Sequence, residues 1–361
     1  RSDVPLASTL SGGLDSTAIV CELSDLVDDK SKMKTFTAIY GDKSCDEDHY
    51  ADLTCKQLDI EATHIKLDSD KLWADLEELI YYQDFPFQSS SIFAQWGVMK
   101  EVQQQHYKVL LGGQGADECL AGYSIYHSTQ FIDNLFNGHP SQILNAVGEY
   151  GLPSCIKFVT QGVHTWLYRK SWMNKIYEWT SQPSMSYLTK EFKKNIHYKP
   201  YWVKKYPSPL KDHLYNMLKY SNLPALLRYE DRNSMAFSIE SRIPFLDHNF
   251  VEFCFTLQNK DYIANGFTKV ILREGLKGKI PETVRVRRDK MGFPTPERRW
   301  FKQLKKEIFE VFQSDSFKQR GYFEHEKINQ LLEDYCNGRN LTKNPLWRAL
   351  NLELWFRRFF D

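Results

Sequence analysis

The sequence predicts an α/β fold, a parallel sheet covered by helices and continued by a mainly α-helical lobe. Three observations carry this. Short apolar segments alternate with segments of helical spacing through the first third of the chain. Glycine-rich loops follow directly after two of the apolar segments. Beyond about Tyr126, β-branched runs become rare, and apolar and aromatic residues recur at helical spacing. Strand–helix alternation favours parallel pairing, because each crossover helix returns the chain to the same edge of the sheet.

In order, Leu6 to Leu10 reads as a short strand and Thr17 to Leu26 as a helix. Lys34 to Tyr40 is a second strand, and Asp48 to Leu58 has helical spacing. Ala62 to Leu67 suits a third strand, followed by helices at Trp73 to Tyr82 and Ile92 to Gln105. Lys108 to Leu111 is a fourth strand that runs into Gly112-Gly113. Proline-containing stretches at Tyr206 to Pro209 and Phe293 to Pro296 mark loops. In a parallel sheet, ligands bind outside the carboxyl ends of the strands, where both glycine-rich loops fall.

Composition excludes several classes. The chain has 361 residues, with 47 basic and 46 acidic side chains. That balance gives no hint of a general nucleic-acid or membrane surface. No run of eighteen apolar residues occurs, so no membrane span is expected. Cys21, Cys45, Cys55, Cys119, Cys155, Cys254 and Cys336 are scattered, odd in number and without a Cys-x-x-Cys pair. This suggests neither a disulfide framework nor a zinc site, and a reducing cytoplasm is the expected location. Cys21 and Cys119 read as core thiols. No signal-peptide pattern precedes the first strand, and Asn340-Leu341-Thr342 reads as a chance glycosylation sequon. Arg1 stands where an initiator Met would, so the chain is expected to begin at a domain boundary.

Ser11-Gly12-Gly13-Leu14-Asp15-Ser16 lies between a strand and a helix. Glycines allow a tight turn and a close approach to phosphate. The helix that follows offers free N–H groups and a positive dipole end. Hydroxyls of Ser11 and Ser16 can add hydrogen bonds. A carboxylate at Asp15 would repel phosphate unless a divalent metal bridges them. Neither the Gly-x-x-x-x-Gly-Lys loop nor a Gly-x-Gly-x-x-Gly pattern is present here. The second loop, Gly112-Gly113-Gln114-Gly115-Ala116-Asp117-Glu118, also follows a strand and should face the first. Asp117 could then join Asp15 on the metal.

Two later segments complete the pattern. Arg228 to His248 reads as a charged helix running into a Pro-bounded turn, mostly a salt-bridged scaffold, with Arg242 the exception suited to carboxylate or phosphate. Asn265-Gly266 is a turn signal before a helical pattern, in which Lys269 and Arg273 share one face. Such a pair can be a solvated edge or can neutralise a charged leaving group.

The first loop resembles the PP-loop of the ATP pyrophosphatases. Together with Gly-Ala-Asp-Glu, Ser-Ile-Glu-Ser-Arg-Ile-Pro-Phe-Leu-Asp-His, the Lys-x-x-Leu-Arg stretch and the Arg-x-Lys-x-Gly-Phe segment at Arg288 to Phe293, it resembles the synthetase domain of glutamine-dependent asparagine synthetase, from Leu6 to about Pro296. The resemblance implies a Rossmann-like, adenine nucleotide alpha hydrolase-like sheet at 1–125 and a mainly helical remainder of the same domain at 126–361. It implies ATP and Mg2+ as cofactors. ATP contacts would come from Leu10, Ser11, Gly12, Gly13, Asp15, Ser16, Ala38, Gly112 and Gly113, and metal ligands from Asp15 and Asp117. Lys269, Gln114 and Arg273 are the candidate catalytic residues, Lys269 facing the intermediate and the departing phosphates. The implied reaction adenylates a carboxylate, aspartate first, and ammonia then gives the amide and AMP.

Some features depart from the family. Gln114 stands where asparagine synthetases usually carry Glu, and Phe85 replaces an acid. Both put the acceptor in question more than the adenylation. The alternative acceptor is a sugar acid, a cell-wall precursor or a peptide, which would be amidated or cyclised. A non-catalytic ATP-sensing module is a third reading, against which Asp15, Asp117 and Lys269 speak. The family's N-terminal glutaminase domain is absent from this chain, so ammonia would come from that missing domain or from a partner. No nucleic-acid or membrane partner is expected, and a homodimer is the assembly to look for.

Overall fold

The computed structural model describes residues 2–30, 33–167, 185–196, 201–289, 292–341 and 344–361. Arg1, Lys290 of the Arg-x-Lys segment, Thr342 of the sequon and the helical expectation over 168–184 lie outside the described residues.

Five parallel strands form one sheet: β1 (Leu6–Thr9), β2 (Lys34–Ile39), β3 (Glu61–Lys66), β4 (Val109–Leu111) and β5 (Glu240–Arg242). Their spatial order is β3-β2-β1-β4-β5. β1 pairs with β2 in the register Ala7↔Lys34 and with β4 in the register Ala7↔Leu110. The helices between them are α1 (Leu14–Leu26), α2 (Asp48–Leu58), α3 (Ser69–Gln83) and α4 (Ser91–Gln104). The sheet thus grows outward from β1 on one side, then returns past it to add β4. The point of reversal lies between β1 and β4, where an open α/β sheet leaves a crevice at the strands' carboxyl ends. Both glycine-rich loops flank it.

Each segment forms for a visible reason. Asp68 caps α3, accepting a hydrogen bond from the Lys71 amide at 3.0 Å. α2 ends at Asp59 and α3 at Asp84, both in the left-handed conformation that stops a helix. Two apolar clusters hold the layers. One joins Leu10, Ala18, Val20, Cys21, Leu58 and Cys119; the other joins Phe36, Ile65, Phe93, Trp96, Trp300 and Leu350. Cys21 and Cys119 are core thiols as expected, and all seven cysteines are free.

One element departs from the sequence reading. Helix Leu223–Ala236 stops before Ser238, whose φ is +54°, and the chain passes through β5 before it reaches the expected Pro-bounded turn, a short 3-10 turn at Pro244–Leu246. The amide of Glu240 donates to the Lys108 carbonyl, and Val109↔Glu240 and Leu111↔Arg242 pair. At three residues with two charged members, β5 carries no hydrophobic alternation to announce it. A two-stranded ribbon, Ile263–Ala264 with Phe267–Thr268, surrounds the Asn265-Gly266 turn and leads into helix Val270–Gly275. No described helix is long and apolar enough to cross a membrane.

Candidate active site

The loop after β1 is closed on itself. The Ser11 amide donates to the Ser16 hydroxyl at 3.2 Å, the two serine hydroxyls lie 3.1 Å apart, and the Ser16 hydroxyl donates to the Gly13 carbonyl. Gly12 has φ +80°, and a Cβ there would lie 2.6 Å from the Glu47 carbonyl oxygen, so both conformation and space require glycine. Gly13 is the N-cap of α1 and, lacking a side chain, makes no capping hydrogen bond of its own.

Short helix Ala116–Leu120 follows the loop after β4 and carries Asp117. Lys269 reaches between the two loops. Its Nζ lies 2.5 Å from both carboxylate oxygens of Asp15 and 2.5 Å from Oδ1 of Asp117. Lys269 is only 2% exposed and adopts φ +53°, ahead of its helix rather than on it. A buried ammonium is tolerable because two carboxylates compensate it. The cluster still carries two negative charges against one positive. Two hard carboxylate oxygens converging beside a phosphate-sized loop suit magnesium, which takes one or two carboxylates plus phosphate oxygens. The fit is tight: a Cβ at Gly122 would fall 1.8 Å from Asp117 Oδ1 and 2.2 Å from Lys269 Cε. Among the described residues, no group of three or more His, Cys, Asp or Glu side chains could hold a metal independently of a ligand.

A cavity of about 420 Å3 opens from this cluster. Leu10, Ser11, Gly13, Asp15, Ser16, Ala38, Gly112, Gly113, Gln114, Asp117, Lys269 and Arg273 all line it, so the sequence candidates converge. Gly12 does not line it; its carbonyl instead accepts from Arg287 at 3.2 Å. Phe36, Val98 and Met99 give the wall beside Ala38 an apolar character.

Arg273 is placed differently from Lys269. Its guanidinium donates to the carbonyls of Thr268 and Arg285, fixing the chain on either side of its helix. Burial pushes its pKa down to about 10, partly offset by Asp15. Arg242 is not in the cavity wall; its Nε donates to Glu240 at 2.6 Å. Phe85 is also outside the wall, 64% exposed and against Trp355. Its departure from the family pattern therefore makes no direct contact with the cavity.

Several wall residues escaped sequence reasoning. Arg287 lies over the Tyr50 ring with its guanidinium carbon 3.9 Å from the centroid, and it pairs with Glu47 and Asp289. Burial still holds the Glu47 carboxyl above its ordinary value. Tyr123 and Asn222 donate to buried Glu118 at 2.8 and 2.7 Å, and burial raises that carboxyl as well. Glu230, read as a scaffold charge, is 3% exposed and lines the cavity. Burial raises its pKa, against the Ser241 hydroxyl, which donates to it, and the neutral side chains of Gln114 and Gln95. Glu118 and Asp289 fall within motifs quoted above, but no local motif announces the roles of Arg287, Asn222 or Glu230.

Comparison with known proteins agrees with this geometry. Asparagine synthetase [glutamine-hydrolyzing] 1 of Bacillus subtilis is 27% identical over 370 residues, covering 98% of this chain and 56% of that protein. Asparagine synthetase [glutamine-hydrolyzing] 3 of the same organism is 24% identical over 316 residues, 80% of this chain and 44% of the relative. Amidase chyE of Penicillium rubens is 28% identical over 140 residues, 36% of this chain and 21% of the relative. The chain thus spans about half the length of the curated synthetases it matches. The asparagine synthase family model matches residues 1–357. With that match over nearly the whole chain, and with the two glycine loops and the buried Lys269 brought to one sheet edge, the chain belongs to the asparagine synthase family.

Proposed function

We propose that this chain is the synthetase part of an ATP-dependent amide-forming ligase. The observation that carries the reading is the Asp15–Lys269–Asp117 cluster between two glycine loops at the sheet's point of reversal. Adenine would lie along the apolar wall near Ala38, and the phosphates along Ser11 to Ser16 and Gly112-Gly113. Asp15 and Asp117 would hold magnesium, which supplies charge neutralisation to the pyrophosphate. An oxygen of the substrate carboxylate attacks the α-phosphorus, the bond to the β-phosphate breaks, and pyrophosphate departs. Lys269 places its ammonium on the charge that develops there, a contribution worth about 3–4 kcal/mol for a well-placed donor. The amine then displaces AMP from the acyl-adenylate. Arg273 acts by holding Thr268 and Arg285, and so positions Lys269.

L-Aspartate with ammonia is the leading substrate pair, by likeness to the named relatives. Ammonia would be delivered from a glutaminase domain or a partner, in the cytoplasm. The second reading, a sugar acid, cell-wall or peptide carboxylate, is favoured by Gln114 in the cavity wall, where a neutral carboxamide replaces the family's usual acid.

The test is pyrophosphate release with Mg-ATP and ammonium, with and without L-aspartate. Aspartate-dependent release with matching AMP and asparagine is expected. Release with another carboxylate only would select the second reading. Asp15→Asn should abolish release while the protein stays folded and monodisperse; retained turnover would remove Asp15 from the mechanism.

A further inference from the structure

A second buried glutamate shows what Glu230 is not. Glu353, 2% exposed, is compensated by Arg320 and Arg357, each with Nε at 2.9 Å. Cationic partners of this kind keep a deeply buried carboxylate charged; Glu118, held by Tyr123 and Asn222, lacks them as Glu230 does. Glu230 is as deep, yet the hydroxyl of Ser241 is what donates to it, and the side chains of Gln114 and Gln95 that also act on its carboxyl are neutral. It also belongs to a functional wall. Its Oε1 would lie 2.8 Å from a Cβ at Gly112, which places the carboxylate against the backbone of the second glycine loop, in the same cavity as Asp15 and Lys269.

We propose that Glu230 is the base that takes the proton of the attacking amine, with Gln114 and Gln95 holding its carboxylate in position. This rests on the adenylating reading above. In the step, the amine nitrogen bonds to the acyl carbon and the acyl–oxygen bond to AMP breaks. AMP leaves with the electron pair, and one N–H proton passes to a Glu230 oxygen, later to be returned to solvent. Gln114 cannot accept that proton, because a carboxamide is not a base at neutral pH. Burial without a cation raises the affinity of Glu230 for a proton, as the role requires. The acid missing at position 114 is thus supplied by the helix that packs behind it.

The test separates the two half-reactions. ATP–pyrophosphate exchange without amine reads adenylation, and amide or hydroxamate formation with ammonium or hydroxylamine reads the second step. The carboxylates are L-aspartate, a set of uronic acids and a set of aspartyl and glutamyl peptides. Glu230→Gln should keep exchange within about three-fold and lose amide formation by about 100-fold or more, the span of general base catalysis. Glu230→Asp, which keeps an acid, should recover part of that loss. Amide formation within about ten-fold of the parent in Glu230→Gln, or exchange falling in parallel with it, would overturn the assignment and leave adenylation standing. A Glu230→Gln protein that does not fold, with Glu230→Asp no better than background in amide formation and in exchange alike, would make Glu230 a structural acid. A parent chain that exchanges with none of the carboxylates overturns the adenylating reading and this assignment with it.

Discussion

The two ends of the cavity solve the problem of burying acids in opposite ways. At one end Asp15 and Asp117 share Lys269, and three formal charges lie within ion-pair distance. At the other, Glu230 accepts from the Ser241 hydroxyl and lies under the influence of the neutral Gln114 and Gln95, with no cation among the groups that shift its carboxyl. A charge-compensated cluster is prepared for a charged ligand, because a phosphate–metal unit can exchange with the existing ion pairs at modest cost. A carboxylate held by neutral donors is prepared instead to change its own charge. Burial alone therefore does not mark function; the partners decide which function a buried acid can serve.

The comparison can be broken most forcefully at Lys269. Lys269→Ala leaves two buried carboxylates facing each other. Adenylation should fall about 100- to 1,000-fold, the cost of removing one preorganised donor, as read by pyrophosphate release. A rate within a few-fold of the parent would return Lys269 to a structural role. Gly122→Ala acts on the same end through space alone. Its Cβ overlaps Asp117 and Lys269, and overpacking of this kind costs about 1–3 kcal/mol. Thermal unfolding should show a clear drop in melting temperature, together with lost turnover.

The opposite end can be sharpened by pH. Burial raises the Glu230 carboxyl above its unfolded value. Its stabilising contribution is therefore complete below the ordinary carboxylate range and is lost as pH rises through the folded-state pKa. Glu230→Gln does not titrate, so its melting temperature should gain on the parent's between pH 4.5 and pH 8. A constant difference across that range would contradict the raised pKa. The smallest effect is expected at Phe85, which lies on the surface against Trp355. Phe85→Glu should change stability by no more than about 0.5 kcal/mol and leave carboxylate preference unaltered. A changed preference in a substrate screen would bring Phe85 back into acceptor recognition.

The compensated end was legible and the neutral end was not. Ser11 to Ser16 and Gly112 to Asp117 are contiguous motifs in which residue type, spacing and the preceding strand all state the same requirement. Lys269 was found through its neighbours, although its placement ahead of the helix, at positive φ, follows from the ribbon at Asn265-Gly266. Glu230 sits among charged residues in Arg228 to Arg232, and nothing in that run separates it from solvated neighbours. Arg242 looked like the exceptional charge of the segment and proved to be half-buried, outside the cavity wall and paired with Glu240. β5 escaped for a related reason, since an edge strand of three residues is too short to display a period.

The sequence by itself determined the parallel α/β core, the two phosphate-sized loops and the pair of aspartates, because each rests on neighbours within a few residues. Only the tertiary structure decided which other charges enter the site. Pairing of β4 with β5 brings helix Leu223–Ala236 over the second loop and carries Glu230 to Gln114, 116 positions away in the sequence. Phe85 stays exposed, outside that packing. Burial and hydrogen-bond partners are properties of that packing, and they set the charge state on which the proposed second step depends.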